Sequence, residues 1–188
     1  MGARIRRVGR RIFERVRLPG SGLRRAGAGR RPVTTRVARN GSVRSSFDTT
    51  INVLDGLVAF ERATGGSAEV GAARRGGEEY LLERGLFRRR STGEVVDPVY
   101  LEFAFPYYWH YDVLRALDFF RQSGANPDPR MAEAVEVVRS RRQPDGRWLL
   151  DRVHPGRVHF SLDGGVGEPS RWNTLRALRV LDWWDRER

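Results

Sequence analysis

The chain has 188 residues and a formal charge of +12; 39% of its residues are hydrophobic and 10% aromatic, enough for one packed domain plus an appendage. It has no cysteine, which excludes disulfides, thiolate zinc sites and a cysteine nucleophile, and no apolar run approaches the roughly 18 residues that a membrane span requires. Of the 35 basic residues 14 fall in residues 1–46, against one of the 23 acids, Glu14, so that segment carries +13 and the remainder −1.

The excess charge therefore describes a leader, residues 1–45, ahead of a nearly neutral domain at 46–188. Every basic residue is arginine, which reads as coding bias rather than selection for nucleic-acid contact. Within the leader, Ile5, Val8, Ile12 and Val16 recur at helical spacing among arginines, a pattern able to grip phosphate or lie on an anionic membrane. Disorder, an organelle transit peptide and a mis-assigned start remain open readings of the same segment. The neutrality of the rest argues against nucleic acid as a partner of the folded domain. No apolar signal sequence is visible, so the expected location is the cytoplasm.

From Ser46 onward the texture predicts helices. Thr49 to Arg62 carries Ile51, Leu54, Leu57, Val58 and Phe60 as a largely helical stripe and stops at Thr64-Gly65-Gly66; Val70 to Arg84 follows and ends at Gly85. Residues 86–110 are irregular, broken by Gly93, Pro98 and Pro106. Tyr111 to Gln122 predicts a third helix, Pro129 to about Arg142 a fourth, and Asn173 to the C-terminus a last one with Leu175, Leu178, Leu181 and Trp184 facing inward. Between the last two, Pro144-Asp145-Gly146 turns the chain and Trp148 is expected to tie neighbouring helix pairs together.

These elements repeat. Val53-Leu54-Asp55-Gly56-Leu57 aligns with Val113-Leu114-Arg115-Ala116-Leu117 and with Thr174-Leu175-Arg176-Ala177-Leu178, which puts Asn52, Asp112 and Asn173 at equivalent places. A helix pair recurring about every 60 residues implies stacked α-hairpins, each burying its apolar face against the next.

Such pairs, the Gln143-Pro144-Asp145-Gly146-Arg147-Trp148 turn and the segments at 46–57, 109–117 and 169–178 resemble the terpenoid cyclase and protein prenyltransferase superfamily, its bacterial members above all. The resemblance implies an all-α fold, part of an α/α toroid of repeated helical hairpins with a basic leader, around a cavity for an apolar, isoprenoid-type ligand. The chain lacks the Asp-x-Asp-Asp acid of squalene cyclase-like enzymes, and without cysteine it cannot assemble the prenyltransferase zinc set, so the resemblance assigns no catalytic residue.

The aromatic block before the third helix supplies the candidate site. Phe105, Tyr107, Tyr108, Trp109 and Tyr111, with Trp172, would line an apolar pocket and face positive charge. Asp112 and His110 at its mouth are the candidates for proton transfer. The competing reading makes Asp112 a helix cap, like Asn52 and Asn173, and the aromatics a core plug. His154 and His159 have no third ligand assured and call for no metal, and no motif calls for a cofactor. A helical-repeat scaffold without catalysis, and docking through the basic arm, are the alternative functions.

Overall fold

A computed structural model describes residues 45–156 and 159–186; the leader's expected helix lies outside them. Among the described residues are five α-helices: α1 (Phe47–Thr64), α2 (Ala68–Leu82), α3 (Val113–Gln122), α4 (Ala132–Ser140) and α5 (Arg171–Arg186). The only named strands there, β1 (Trp148–Leu149) and β2 (Pro169–Ser170), pair antiparallel with Trp148 opposite Ser170. The described part is thus predominantly helical, as the periodicity requires, and none of its helices is long and apolar enough to cross a membrane.

Local chemistry sets the helix ends. The Ser46 hydroxyl accepts from the Thr49 N–H and starts α1, while Gly65 at φ +80° stops it in a conformation that side chains other than glycine's disfavour. Ser67 starts α2 in the same way, and Asp112 starts α3 by accepting from the Arg115 N–H. Before α5 the Ser170 hydroxyl accepts from the Asn173 N–H. The structure therefore separates the three residues expected to act as caps. Asp112 caps; Asn52 and Asn173 lie inside their helices and donate to loop carbonyls instead.

α3 is the centre. All eight residues from Val113 to Phe120 are buried, and the helix touches α1, α4 and α5. α1 packs on α2 so closely that a Cβ on Gly77 would come within 2.8 Å of Leu54. Trp148 is completely buried; its indole N–H donates to the Val138 carbonyl at the end of α4, and its backbone N–H to the Thr174 hydroxyl on α5. The turn before it closes through Gln143 N–H to the Arg147 carbonyl and Arg147 N–H to the Asp145 carboxylate.

α5 departs from expectation. Leu175 and Leu178 are 38% and 44% exposed, whereas Leu54 and Leu114, the counterparts of Leu175, are buried, and of the counterparts of Leu178 Leu117 is buried and Leu57 half-buried. The inward stripe is Asn173, Arg176, Ala177, Val180 and Trp184. The reason lies in the neighbours: α3 is flanked on both sides, and α5 packs against α3, α4 and the short strands with no further described helix beyond it.

Candidate functional site

The loop from Glu102 to Asp112 hangs from the N-terminal ends of α1, α3 and α5, which grip it by its backbone. The Asp48 carboxylate accepts from the Tyr111 N–H at 2.9 Å, and the Asn52 amide donates to the Trp109 carbonyl at 2.7 Å. Arg115 donates to the His110 carbonyl at 2.6 Å, and Asn173 to the Phe103 carbonyl at 3.1 Å. Asp151 accepts from the Phe103 N–H at 2.7 Å. Tyr108 takes φ +47°, left-handed backbone that costs a non-glycine residue about 1 kcal/mol.

Three layers of rings result. Phe105 stacks on Trp172 with centroids 5.0 Å apart and planes 15° off parallel. The Tyr107 ring lies near two buried guanidinium groups, Arg115 at 4.4 Å and Arg176 at 4.8 Å from its centroid. Trp109, His110 and His154 form a column, with 3.8 Å between the first two rings and 3.5 Å between the two imidazoles. Trp109 is 54% and Tyr108 47% exposed, and Val153, next to His154, is exposed too. The outcome is an aromatic surface on a fixed backbone, backed by cations.

The candidate residues divide. Phe105, Tyr107, Tyr108, Trp109, His110 and Trp172 belong to this region, whereas Tyr111 is core: it packs on Phe47 and Tyr100, and its hydroxyl donates to the Leu86 carbonyl. Tyr111 turns inward because its backbone N–H is held by Asp48 at the start of α1. Asp112 is 2% exposed. Its carboxylate accepts backbone N–H groups of Arg115 and Ala104 and lies 3.9 Å from Arg176. Burial pushes its pKa up, against the pull of Arg176. A carboxyl so enclosed has no open face toward a substrate. His110 is half-buried, and desolvation, then the nearby Arg152, lowers its pKa. His154 is driven down to about 4 by burial, then by His110 and Arg152. Both imidazoles are therefore neutral at pH 7, and Arg152 donates to His154 Nδ1 at 3.0 Å.

Three residues of this region escaped the sequence reading as site residues. Arg115 and Arg176 stood in the repeat alignment, at the position of Asp55, and that coincidence was the available signal. His154 stood out only as a possible ligand; the exposed His159 forms no ligand set with it, and among the described residues no three metal-binding side chains lie together. Asp97 starts the Pro98–Leu101 3-10 turn, and Asp163 accepts from the Ser170 hydroxyl.

A cavity of about 80 Å³ lies between the C-terminal parts of α1 and α3. Another, of about 390 Å³, lies beside α5, lined by Arg171, Leu175 and Leu178. The aromatic layers line neither. No family model, no curated protein and no solved structure matches the chain.

Proposed function

We propose that residues 46–186 are part of an α/α-hairpin repeat domain of the terpenoid cyclase and prenyltransferase kind, and that it binds an apolar, isoprenoid-type ligand on the loop at 105–110 without turning it over. The observation that carries this reading is the pair of exposed rings, Tyr108 and Trp109, on a backbone pinned by three different helices. A preorganised aromatic surface loses little conformational entropy on binding, and large exposed rings recover apolar area from water. The alignment of α1, α3 and α5 supports the repeat. The enclosure of Asp112 counts against an acid-initiated reaction. Docking through the basic arm rests on residues outside the described part.

Tryptophan fluorescence during titration with farnesol tests the reading. Quenching should saturate, and Trp109→Ala should weaken binding about tenfold or more, because a lost aromatic contact is worth roughly 1.5–3 kcal/mol. Farnesol binding that is unchanged in Trp109→Ala and Tyr108→Ala chains, or absent from the intact chain, would dismiss it.

A further inference from the structure

The outer face of α5 is self-complementary. Successive residues of a helix are about 100° apart, so Arg171, Leu175, Leu178 and Asp182 fall within about 40° of one line along it, over roughly 16 Å. The line reads base, apolar, apolar, acid. The midpoint between the leucines is also the midpoint between Arg171 and Asp182. Two such helices, antiparallel about a two-fold axis through that midpoint, bring Leu175 of one copy onto Leu178 of the other and Arg171 of each onto Asp182 of the other. We propose that this face is the contact between two copies of the chain.

The surroundings fit that partner. Both leucines are substantially exposed, and a groove of about 390 Å³ runs between them and the Asp163–Pro169 segment, wide enough to take a leucine side chain. Val166, in the same Asp163–Pro169 segment, is 62% exposed. The charges are available. Asp182 pairs with Arg186 of its own helix, at 2.8 Å with side chains 55% and 75% exposed, an exchangeable surface pair. Arg171 uses Nε and Nη2 on the Leu162 carbonyl, which leaves a donor for an acid across the axis. An anionic or basic partner would match one end of the line and repel the other; a second copy matches both. One helix face with its adjoining loop is small for a permanent contact, so the dimer should be a reversible one of micromolar strength. None of this depends on the ligand reading above.

Sedimentation velocity on the full chain at 0.15 M salt, from about 1 to 100 µM, reads the association. The intact chain should pass from monomer to dimer across that range, and Leu178→Glu should hold it monomeric at 100 µM. Arg171→Glu and Asp182→Arg, each alone, should weaken dimerisation at least about tenfold by placing like charges opposite each other. The double substitution should restore it, as should mixing the two single variants. Arg171→Glu puts an acid near the start of α5, which favours the helix, and Asp182→Arg puts a base near its end at the loss of the exposed pair with Arg186, so helical circular dichroism should be unchanged in both and loss of the dimer would not come from loss of the helix. An intact chain that is monomeric throughout overturns the proposal, and so does a dimer indifferent to Leu178→Glu or a double variant no better than the singles. A monomer whose melting temperature falls on Leu178→Glu would place another segment of the chain on this face, and would equally overturn it.

Discussion

Arg115 and Arg176 occupy the same place in successive copies of the repeat, and the structure treats them differently. Arg115 reaches back to the preceding copy, where both Nη atoms are bonded, to Asp55 at 2.7 Å, Asn52 at 3.2 Å and the His110 carbonyl at 2.6 Å, and its Nε alone is buried without a partner among the described residues. Arg176 reaches back in the same register, but there the residue equivalent to Asp55 is Arg115, another cation. Its carboxylate neighbours, Asp112 and Asp118, stand at 3.9 and 3.8 Å, too far for hydrogen bonds, and its Nε and Nη2 are buried without a hydrogen-bond partner. The Tyr107 ring lies within 5 Å of both guanidinium carbons and offers each its π-face. The acid at 112, where the first copy has asparagine, is the compensation. A repeated motif can thus be kept in sequence while its electrostatics change, because an alternating pattern of acid and base cannot extend through two consecutive arginines.

The comparison predicts that α5 depends on apolar anchoring more than α3 does. Trp148 is the sharpest way to break it. Its ring is fully buried and its two N–H groups tie α4 to α5, so Trp148→Ala should cost about 3–5 kcal/mol in urea unfolding followed by helical circular dichroism. A loss below about 1 kcal/mol would mean that the α5 contact does not rest on this side chain.

The next test sets the two arginines against each other. Arg115→Met removes short, charge-assisted bonds and should cost about 2–3 kcal/mol, with Asp55 exposed enough to rehydrate. Arg176→Met removes only long contacts, yet it leaves Asp112 buried without its cation. Asp112 already has a folded-state pKa above its ordinary 3.8, so the stabilisation of its neutral form is present at low pH and is lost as pH rises through the folded value. Without Arg176 that value rises further. The Arg176→Met chain should therefore fall behind the parent more at pH 7 than at pH 5, by about 1–2 kcal/mol, and adding Asp112→Asn, which keeps the cap, should remove the widening. Equal deficits at both pH values would mean that Asp112 and Arg176 do not sense each other.

What was legible in the sequence follows the range of the interactions involved. Helices were legible because the signals for them are local: apolar spacing, Asp112 ahead of α3 and Gly65 behind α1. Trp148 was legible as a tie because a buried tryptophan in a polar turn needs an apolar neighbour and an acceptor. The aromatic region was legible in composition only. The turn of Tyr111 into the core depends on Asp48, 63 residues away, and the stacking of His110 on His154 joins two loops 44 residues apart. Leu175 and Leu178 face outward against expectation because alignment with Leu54 and Leu114, and with Leu57 and Leu117, assumes equal neighbours, and the last helix of the described array does not have them.

The histidine column offers a finer probe of the same contrast, since it fastens the 151–156 loop to the loop that Arg115 and Arg176 support. Arg152 donates to His154 Nδ1, which requires that nitrogen to be unprotonated, and protonation there would set an imidazolium against Arg152 and close to His110. Arg115 adds to the positive field at His110, and Asp48 alone among the neighbours favours its charged form. Because the folded pKa of His154 is lowered from 6.5 to about 4, its contribution to stability is complete above pH 6.5 and declines as pH falls toward 4. Carboxylates held low by arginine partners, Asp128 and Glu133, lose their own contributions toward the acid end of this range, in any variant alike. The informative quantity is therefore the difference between the intact chain and His154→Phe, which keeps a ring on His110 and removes the titration. Melting temperatures measured from pH 7.5 to 4.5 should fall less in His154→Phe, with the two curves diverging below pH 6.5. Parallel curves would show that the column tolerates a proton, and that the loop over the aromatic surface is fastened by its backbone bonds instead.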